Sequence, residues 1–341
     1  MQELDFITTG KLKWRDVAAP QLEADVEALV RPIAVATCDL DAGIVRGEVP
    51  VAGPFPFGHE AVAEVVDIGA AVRTVALGDL VSVPFQISCG TCGQCRRGRT
   101  AHCTAVPRLS MYGLGSLSGA PWGGFLSDLV RVPFADSMLV PIPDGVAPLA
   151  VASLSDNIAD AWRTVGPPLA KEPGAAVLIV SGGTSVPLYA TAIAIALGAS
   201  QVDFVGGRRR DLDLAVSLGA HVIEGPFPRR LGPYPITVAA LHDRAGLACA
   251  IRSTAPDGVC TSCGIYFEGD TPLPLLEMYS KGIRFVTGRV HARTAMSEAL
   301  DLVASGRLRP EPITARVARW EEAAEALADH DAKLVISRER A

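Results

Sequence analysis

The chain has 341 residues, enough for two domains of ordinary size, and with 49% hydrophobic and 20% charged residues it can build a sizeable core. A net charge of −6 argues against nucleic acid or an anionic membrane as its partner. No charged-then-apolar leader opens the sequence and no apolar run reaches the ~18 residues of a membrane span, so a soluble cytoplasmic protein is expected.

Through residue 150, valine, proline and glycine are frequent, and short apolar runs are separated by turns. Residues 26–32, 61–68, 80–84 and 129–132 read as strands, punctuated by Gly69, Gly78-Asp79 and the prolines. An irregular β-barrel is the expected result. Within it, Cys38 precedes Asp39-Leu40-Asp41, and Gly58-His59-Glu60 follows across a run of turns. A cysteine, a histidine and one further ligand make a zinc site with an open fourth position. Zinc there polarises a carbonyl or lowers the pKa of a bound alcohol. On the residues alone, His59 reads equally as a packed or solvated histidine.

Cys89-Gly90-Thr91-Cys92-Gly93-Gln94-Cys95, closed by Cys103, sets four cysteines at gaps of two, two and seven residues. Gly90 and Gly93 let the backbone turn so that the thiolates face one point. Four soft ligands with no open position are what a structural zinc requires. Ordinary cysteines or two disulfides are the competing reading, but adjacent Cys-x-x-Cys pairs would crowd, and disulfides belong to oxidising compartments. Cys249 lies apart, and Cys260-Thr261-Ser262-Cys263, with no second pair nearby, reads as a buried strand of small side chains.

From residue 151 the pattern changes. Residues 154–165 read as a helix. Ala175-Ala176-Val177-Leu178-Ile179-Val180 is a continuous apolar run, as expected for a strand buried on both faces. Ser181-Gly182-Gly183-Thr184-Ser185 follows, then an alanine-rich helix over 188–197. Strands at 202–205, 220–223, 236–240, 258–265 and 283–287 alternate with helices at 211–218, 245–253 and 273–281. Such alternation predicts a parallel sheet with helices on both faces. Two amphipathic helices, 299–304 and 321–328, and a strand at 333–337 close the chain.

Cys38, Gly58-His59-Glu60, the Cys89/Cys92/Cys95/Cys103 lobe and the βα region from Ala175 resemble the zinc-dependent medium-chain dehydrogenase/reductase family, the alcohol dehydrogenases, over essentially the whole chain. The resemblance implies an α/β fold: a GroES-like β-barrel catalytic domain at 1–150 completed by 295–341, and a Rossmann domain with a doubly wound parallel sheet at 151–294. It implies two Zn2+ per chain, a structural ion on Cys89, Cys92, Cys95 and Cys103 and a catalytic ion on Cys38, His59 and Asp156. Asp156, within Ser155-Asp156-Asn157, stands where bacterial members with an aspartate ligand carry it, although it also fits a helix N-cap. Glu60 is the nearby carboxylate that can transiently replace a ligand. A substrate pocket near Leu40, Trp122 and Tyr112 follows from the family's geometry. Where many members relay a proton through a Ser or Thr and a His, this chain has Leu40 and Gly43, so Thr37, Asp39, Asp41 or ordered water would substitute.

The family's Gly-x-Gly-x-x-Gly falls on Gly182-Gly183-Thr184-Ser185-Val186-Pro187, with only the first glycine in register. Thr184 and Ser185 offer hydroxyls to a phosphate, and Pro187 is tolerated early in a helix. At the end of the second strand, where NAD enzymes hold an acid against the ribose, this chain has Gly206, followed by Gly207 and Arg208-Arg209-Arg210. Guanidinium groups suit a 2′-phosphate, although charge runs at helix starts are commonly just solvated. The expectation is therefore an oxidoreductase interconverting an alcohol and a ketone or aldehyde by hydride transfer, using NADP(H) in preference to NAD. Gly182, Gly183, Thr184, Ser185, Val186, Gly206, Gly207, Arg208 and Arg209 would bind the cofactor. The partners would be a small-molecule substrate and further copies of the chain, as homodimer or homotetramer, with no nucleic acid or membrane. The alternatives are a redox-impaired member serving as a binding or scaffold protein, and a reductase of a conjugated alkene. Retention of Cys38 and His59 argues against the last.

Overall fold

The computed structural model describes residues 1–183, 185–267, 269–330 and 332–339. The chain forms two compact units, Met1–Ala159 with His291–Gly306 and Thr314–Ala341, and Asp160–Val290 with Arg307–Ile313.

The first unit is built on the strand Ala28–Ala36, buried at all but one position. Its sheet runs in the order Arg316–Arg319, Leu334–Ser337, Ala28–Ala36, Glu60–Ile68, Leu80–Val83, Val140–Pro141, with Val130–Val132 also paired to Ala28–Ala36. Arg31 and Glu64 face each other across the central pair, bridged at 2.7 Å. Pro32, which has no N–H for a ladder, stands at a shift of register. A second sheet, Lys11–Asp16, Gln2–Thr8 and Phe55–Pro56, is not foreshadowed by the sequence pattern. Leu4, Asp5 and Phe6 are all buried in succession, with Asp5 held by Arg15 at 2.7 Å, and this hides the strand's period of two.

In the second unit six strands pair in parallel, in the order His221–Glu224, Val202–Gly206, Val177–Ser181, Tyr234–Ala240, Thr254–Ser262, Arg284–Thr287. Numbered along this unit the order is 3-2-1-4-5-6, that of a Rossmann sheet. The apolar run of Val177–Ser181 is buried throughout, as a strand covered on both faces must be. Most bounds shift by one to three residues from expectation, and two shift further. The helix Ala159–Lys171 continues through Pro167 and Pro168 instead of stopping before them. The strand Thr254–Ser262 begins early because Asp257-Gly258, a turn signal in the sequence, is an irregularity inside it, with Asp257 at φ +56°. Among the described residues no helix is long and apolar enough to cross a membrane.

One side chain of the first unit ties its stability to pH. Burial first, and then the Asp5 charge, push the Glu3 carboxyl up to about 7 from 4.5, with Arg15 opposing. The folded state therefore holds a proton that the unfolded chain has already lost, and stability falls as pH rises from about 4.5 to about 7. Glu3→Gln is expected to raise Tm at pH 8 and to leave it unchanged at pH 4, measured by calorimetry. Equal shifts at both pH values would show that the ionised carboxylate is not the cause.

Candidate functional site

The site begins where the central strand of the first unit ends. Cys38 is the N-cap of the helix Asp39–Arg46, and its Sγ accepts from the Leu40 N–H at 3.3 Å. Asp41 Oδ2 accepts from the Cys38 N–H at 2.9 Å, which completes a capping box. The other oxygen of Asp41, Oδ1, lies 3.2 Å from His59 Nδ1. That contact turns His59 Nε2 toward Asp156 Oδ2, 3.5 Å away. Asp156 lies in a π turn, Leu154–Ile158, closed by Ile158 N–H donating to Ser153 O at 3.0 Å. Ser155 Oγ accepts from the Ala61 N–H at 3.2 Å and ties this turn to the strand that starts at Glu60. Asp156 is thus aimed inward from within the turn and does not cap a helix.

One ligand atom from each of Cys38, His59, Glu60 and Asp156 lies within 4.8 Å of all the others, a spacing that one metal ion can bridge. The donors fit zinc: a thiol, an imidazole and carboxylates. Asp41, Glu60, His59 and Cys38 are all buried. Burial pushes the Cys38 thiol up to about 12 against the pull of His59, and the Glu60 carboxyl up to about 8 against the pull of Lys333. So acidic a donor set needs more positive charge than Lys333 supplies, and a divalent cation would provide it.

Lys333 reaches this cluster from the far end of the chain. Its Nζ donates to Glu60 at 3.0 and 3.1 Å, to Asn157 Oδ1 at 2.8 Å, and to Thr37 O. Asn157 Nδ2 in turn donates to Asp156 Oδ2 at 3.0 Å. At the expected relay positions, Leu40 is half-buried and Gly43 is inside the helix, where a Cβ would meet Val49 at 3.1 Å. The Thr37 hydroxyl both donates to Leu334 O at 3.3 Å and accepts from Leu334 N–H at 3.1 Å, which commits it to strand pairing. Tyr112 does not face a pocket: it is fully buried, packs on Phe125 and donates to Arg131 O at 2.8 Å.

The four lobe cysteines also converge, their sulfurs within 4.8 Å of one another and Cys92 Sγ 4.0 Å from Cys103 Sγ. A tetrahedral ion at ~2.3 Å from each sulfur would set them about 3.8 Å apart. Backbone N–H groups of Cys89, Cys92 and Cys95 point at Cys103, Cys89 and Cys92 Sγ at 3.4, 3.3 and 3.5 Å. Gly90 turns through φ +72°, and a Cβ there would lie 2.2 Å from Ser137 Oγ. Gly93 carries no such requirement, because its conformation is ordinary and the nearest atom, 3.4 Å away, belongs to the flexible Arg97 side chain.

In the second unit the strand Val177–Ser181 turns into the helix Ser185–Ala196 through Gly182 and Gly183, and Thr184 lies outside the described residues. Gly183 has φ +88°, and a Cβ on Gly182 would lie 2.9 Å from Leu241 Cβ, so this strand end tolerates little else. Ser185 and Val186 open the helix and are buried. Gly206 is the last residue of Val202–Gly206, at the position where an acid would stand, and Gly207 follows it exposed. Both Arg208 and Arg209 have carboxylate partners. Arg208 folds over the glycine turn, donates from Nη1 to Gly183 O and lies 3.6 Å from Asp211, whereas Arg209 pairs with Asp213 at 2.8 Å and Glu224 at 3.5 Å.

The parts that the sequence reading leaves unassigned are Asp41 as the brace of His59, Asn157 and Lys333. Cys38-x-x-Asp41 has capping-box spacing and could have revealed the first. Lys333 lies 273 residues from Glu60 and carries no local signal.

Residues 24–144 match the family described as the alcohol dehydrogenase GroES-like domain. The Mycobacterium tuberculosis protein named "Probable zinc-binding alcohol dehydrogenase" is 29% identical over 326 residues, covering 94% of this chain and 82% of its own length. A medium-chain reductase/dehydrogenase of an Acremonium species is 32% identical over 213 residues, covering 60% of this chain and 69% of that one. The structure of an alcohol dehydrogenase from a Thermus species superposes with a TM-score of 0.87 at 27% identity, over 99% of both chains.

The lobe geometry separates its two glycines. Gly90→Ala is expected to cost about 1–3 kcal/mol, from positive φ and the Ser137 clash, whereas Gly93→Ala should stay within about 0.5 kcal/mol. Urea unfolding of both variants checks this, and a loss as large for Gly93→Ala would contradict the assignment.

Proposed function

Because the chain belongs to the zinc-dependent medium-chain dehydrogenase/reductase family and is an oxidoreductase of the zinc-type alcohol dehydrogenase kind, we propose that it interconverts an alcohol and a ketone or aldehyde by hydride transfer with NADP(H), its active zinc held on Cys38, His59 and Asp156. The observation that carries this reading is the convergence of those three donors, Cys38 and His59 buried and Asp156 partly so, with Asp41 Oδ1 3.2 Å from His59 on its other side. Zinc bound there would supply Lewis acidity toward the substrate's oxygen. NADP(H) would supply or accept the hydride, so that an alcohol losing hydride from carbon and a proton from oxygen becomes a carbonyl compound. Cys89, Cys92, Cys95 and Cys103 would hold a second, structural zinc with no chemical role.

The chain's own residues divide the remaining work. Asp41 Oδ1, 3.2 Å from His59 Nδ1, would favour the proton on that nitrogen and leave the Nε2 lone pair for the metal. Leu40 and Gly43 cannot carry a proton, and Asp39, exposed beside Cys38, would pass it to solvent. Gly182, Gly183, Ser185 and Val186 would lie along the pyrophosphate at a helix N-terminus. Arg208 would meet the 2′-phosphate beside Gly206 and Gly207, while Arg209 stays in its pairs with Asp213 and Glu224. The eight cysteines, none in a disulfide, suit a reducing cytoplasm. Further copies of the chain would cover exposed Leu275, Leu276 and Tyr279 beside the edge strand Arg284–Thr287, since a two-fold axis can pair such an edge with itself.

His59→Ala is expected to lower kcat/KM by at least a thousandfold and to leave one zinc per chain. Near-normal turnover in a metal-verified variant would sink the zinc mechanism, and turnover lost together with both ions would point to a folding defect.

For the cofactor, Arg208→Ala should weaken NADPH about ten- to a hundredfold and NADH little, since a charge-assisted hydrogen bond contributes about 1.5–3 kcal/mol. A Cβ at Gly206 meets its neighbours at ordinary distances, 3.4 to 3.6 Å, so Gly206→Asp should fold and reverse the preference. Fluorescence titrations of both cofactors decide the matter. Equal wild-type affinities would remove the NADP assignment, and no binding of either would favour a binding or scaffold role.

A further inference from the structure

Cys38 and His59 stand beside two paired strands, one just after Ala28–Ala36 and the other just before Glu60–Ile68, so the sheet fixes their separation. Asp156 has no strand behind it. It lies in the π turn Leu154–Ile158, and its own N–H reaches Ser153 O only at 3.4 Å. Two side chains of the turn tie it to the sheet. Asn157 Oδ1 accepts from Lys333, beside the last strand, at 2.8 Å. Ser155 Oγ accepts from the Ala61 N–H at 3.2 Å, and this is the tie to the strand that follows His59. Ser155 and Ala61 are both fully buried, so water does not compete for either group.

The bond joins the residue before one proposed ligand to the second residue after another. Across it, His59 Nε2 and Asp156 Oδ2 lie 3.5 Å apart. A tetrahedral ion about 2.1 Å from each would set them about 3.4 Å apart. Resting on the zinc reading above and deepening it, we infer that Ser155 is a positioning residue, whose bond to the Ala61 N–H holds Asp156 at ligand distance from His59. The hydroxyl meets neither substrate nor ion. It acts by fixing the backbone from which the Asp156 side chain projects. Without it the Ala61 N–H loses this acceptor, the turn is free to draw away from the strand, and the carboxylate goes with it. Cys38 and His59 keep their places. The site then holds its ion less tightly, because groups that orient a ligand contribute about ten- to a hundredfold in metal affinity.

The Co2+-substituted holoenzyme tests this, with release of cobalt to EDTA followed in the visible spectrum. Four sulfurs and a mixed donor set give different bands, so the two ions are followed separately. The wild type is expected to hold two cobalt ions per chain. In Ser155→Ala, release from the mixed-donor site should quicken at least tenfold, while release from the lobe is unchanged. Asp156→Asn should quicken it as well. The double variant Ser155→Ala/Asp156→Asn should release no faster than Asp156→Asn, because Ser155 acts only through that carboxylate. Should Ser155→Ala fail to fold, Ser155→Gly severs the same bond, leaves room for a water on the Ala61 N–H and carries the same comparison. Release at the wild-type rate in Ser155→Ala, faster release from both sites alike, or effects of the two substitutions that multiply in the double variant would overturn the role of Ser155 alone. A wild type that binds cobalt only in the lobe overturns the zinc reading and this inference with it.

Discussion

The register of the sheet at Ala36 is the constraint on which the first unit's chemistry depends. Ala36 pairs with Glu60 on one side and with Val335 on the other. Cys38 follows two residues after Ala36, His59 comes just before Glu60, and Lys333 stands two residues before Val335. Three distant stretches therefore deliver a thiol, an imidazole with its carboxylate neighbour, and an ammonium to one end of one sheet. A slip of one residue in either pairing would send these side chains to the opposite face. The buried apolar residues of Ala28–Ala36 and Leu334–Ser337 are what make such a slip costly.

What could be read in advance follows the range of the interactions. The cysteine lobe is local, so spacing alone brings its four sulfurs to mind, and only Gly93 is given a duty it does not have. The Rossmann alternation is periodic, and its strands emerge close to their expected places. The helix Asp39–Arg46 and the N-terminal hairpin were harder to see, because capping by a cysteine is unusual and because Asp5 is buried between two apolar neighbours. Asp156 came from family likeness, its sequence neighbourhood fitting a cap as well as a ligand. The contacts of Lys333 are set by strand pairing across most of the chain, and nothing around that lysine in the sequence distinguishes it from a surface residue.

Arg208 and Arg209, the first two of three arginines after the second Rossmann strand, show how a composition signal divides once geometry is known. As a run they promise a phosphate site. In the fold, Arg209 is paired with an i,i+4 partner and with the neighbouring strand end, while Arg208, 3.6 Å from its i,i+3 partner Asp211, also lies across the glycine turn. On the proposed reading, a cofactor entering that turn would exchange the hydrogen bond from Arg208 to Gly183 for contacts of its own, and part of the affinity would be spent on that exchange.

The first unit is assembled from both ends of the chain, and Lys333 immediately precedes its last strand, Leu334–Ser337. On a ribosome, the barrel strands and the cysteine lobe emerge first, and the second unit is made in full before Leu334–Ser337 appears. Domains fold as they are synthesised, so a nascent chain presents Cys38, His59 and Glu60 well before the lysine that pairs with Glu60. On the proposed zinc reading, an ion captured in that interval would meet Glu60 without that partner. The arrival of the final strand is thus a timing event in the maturation of the site.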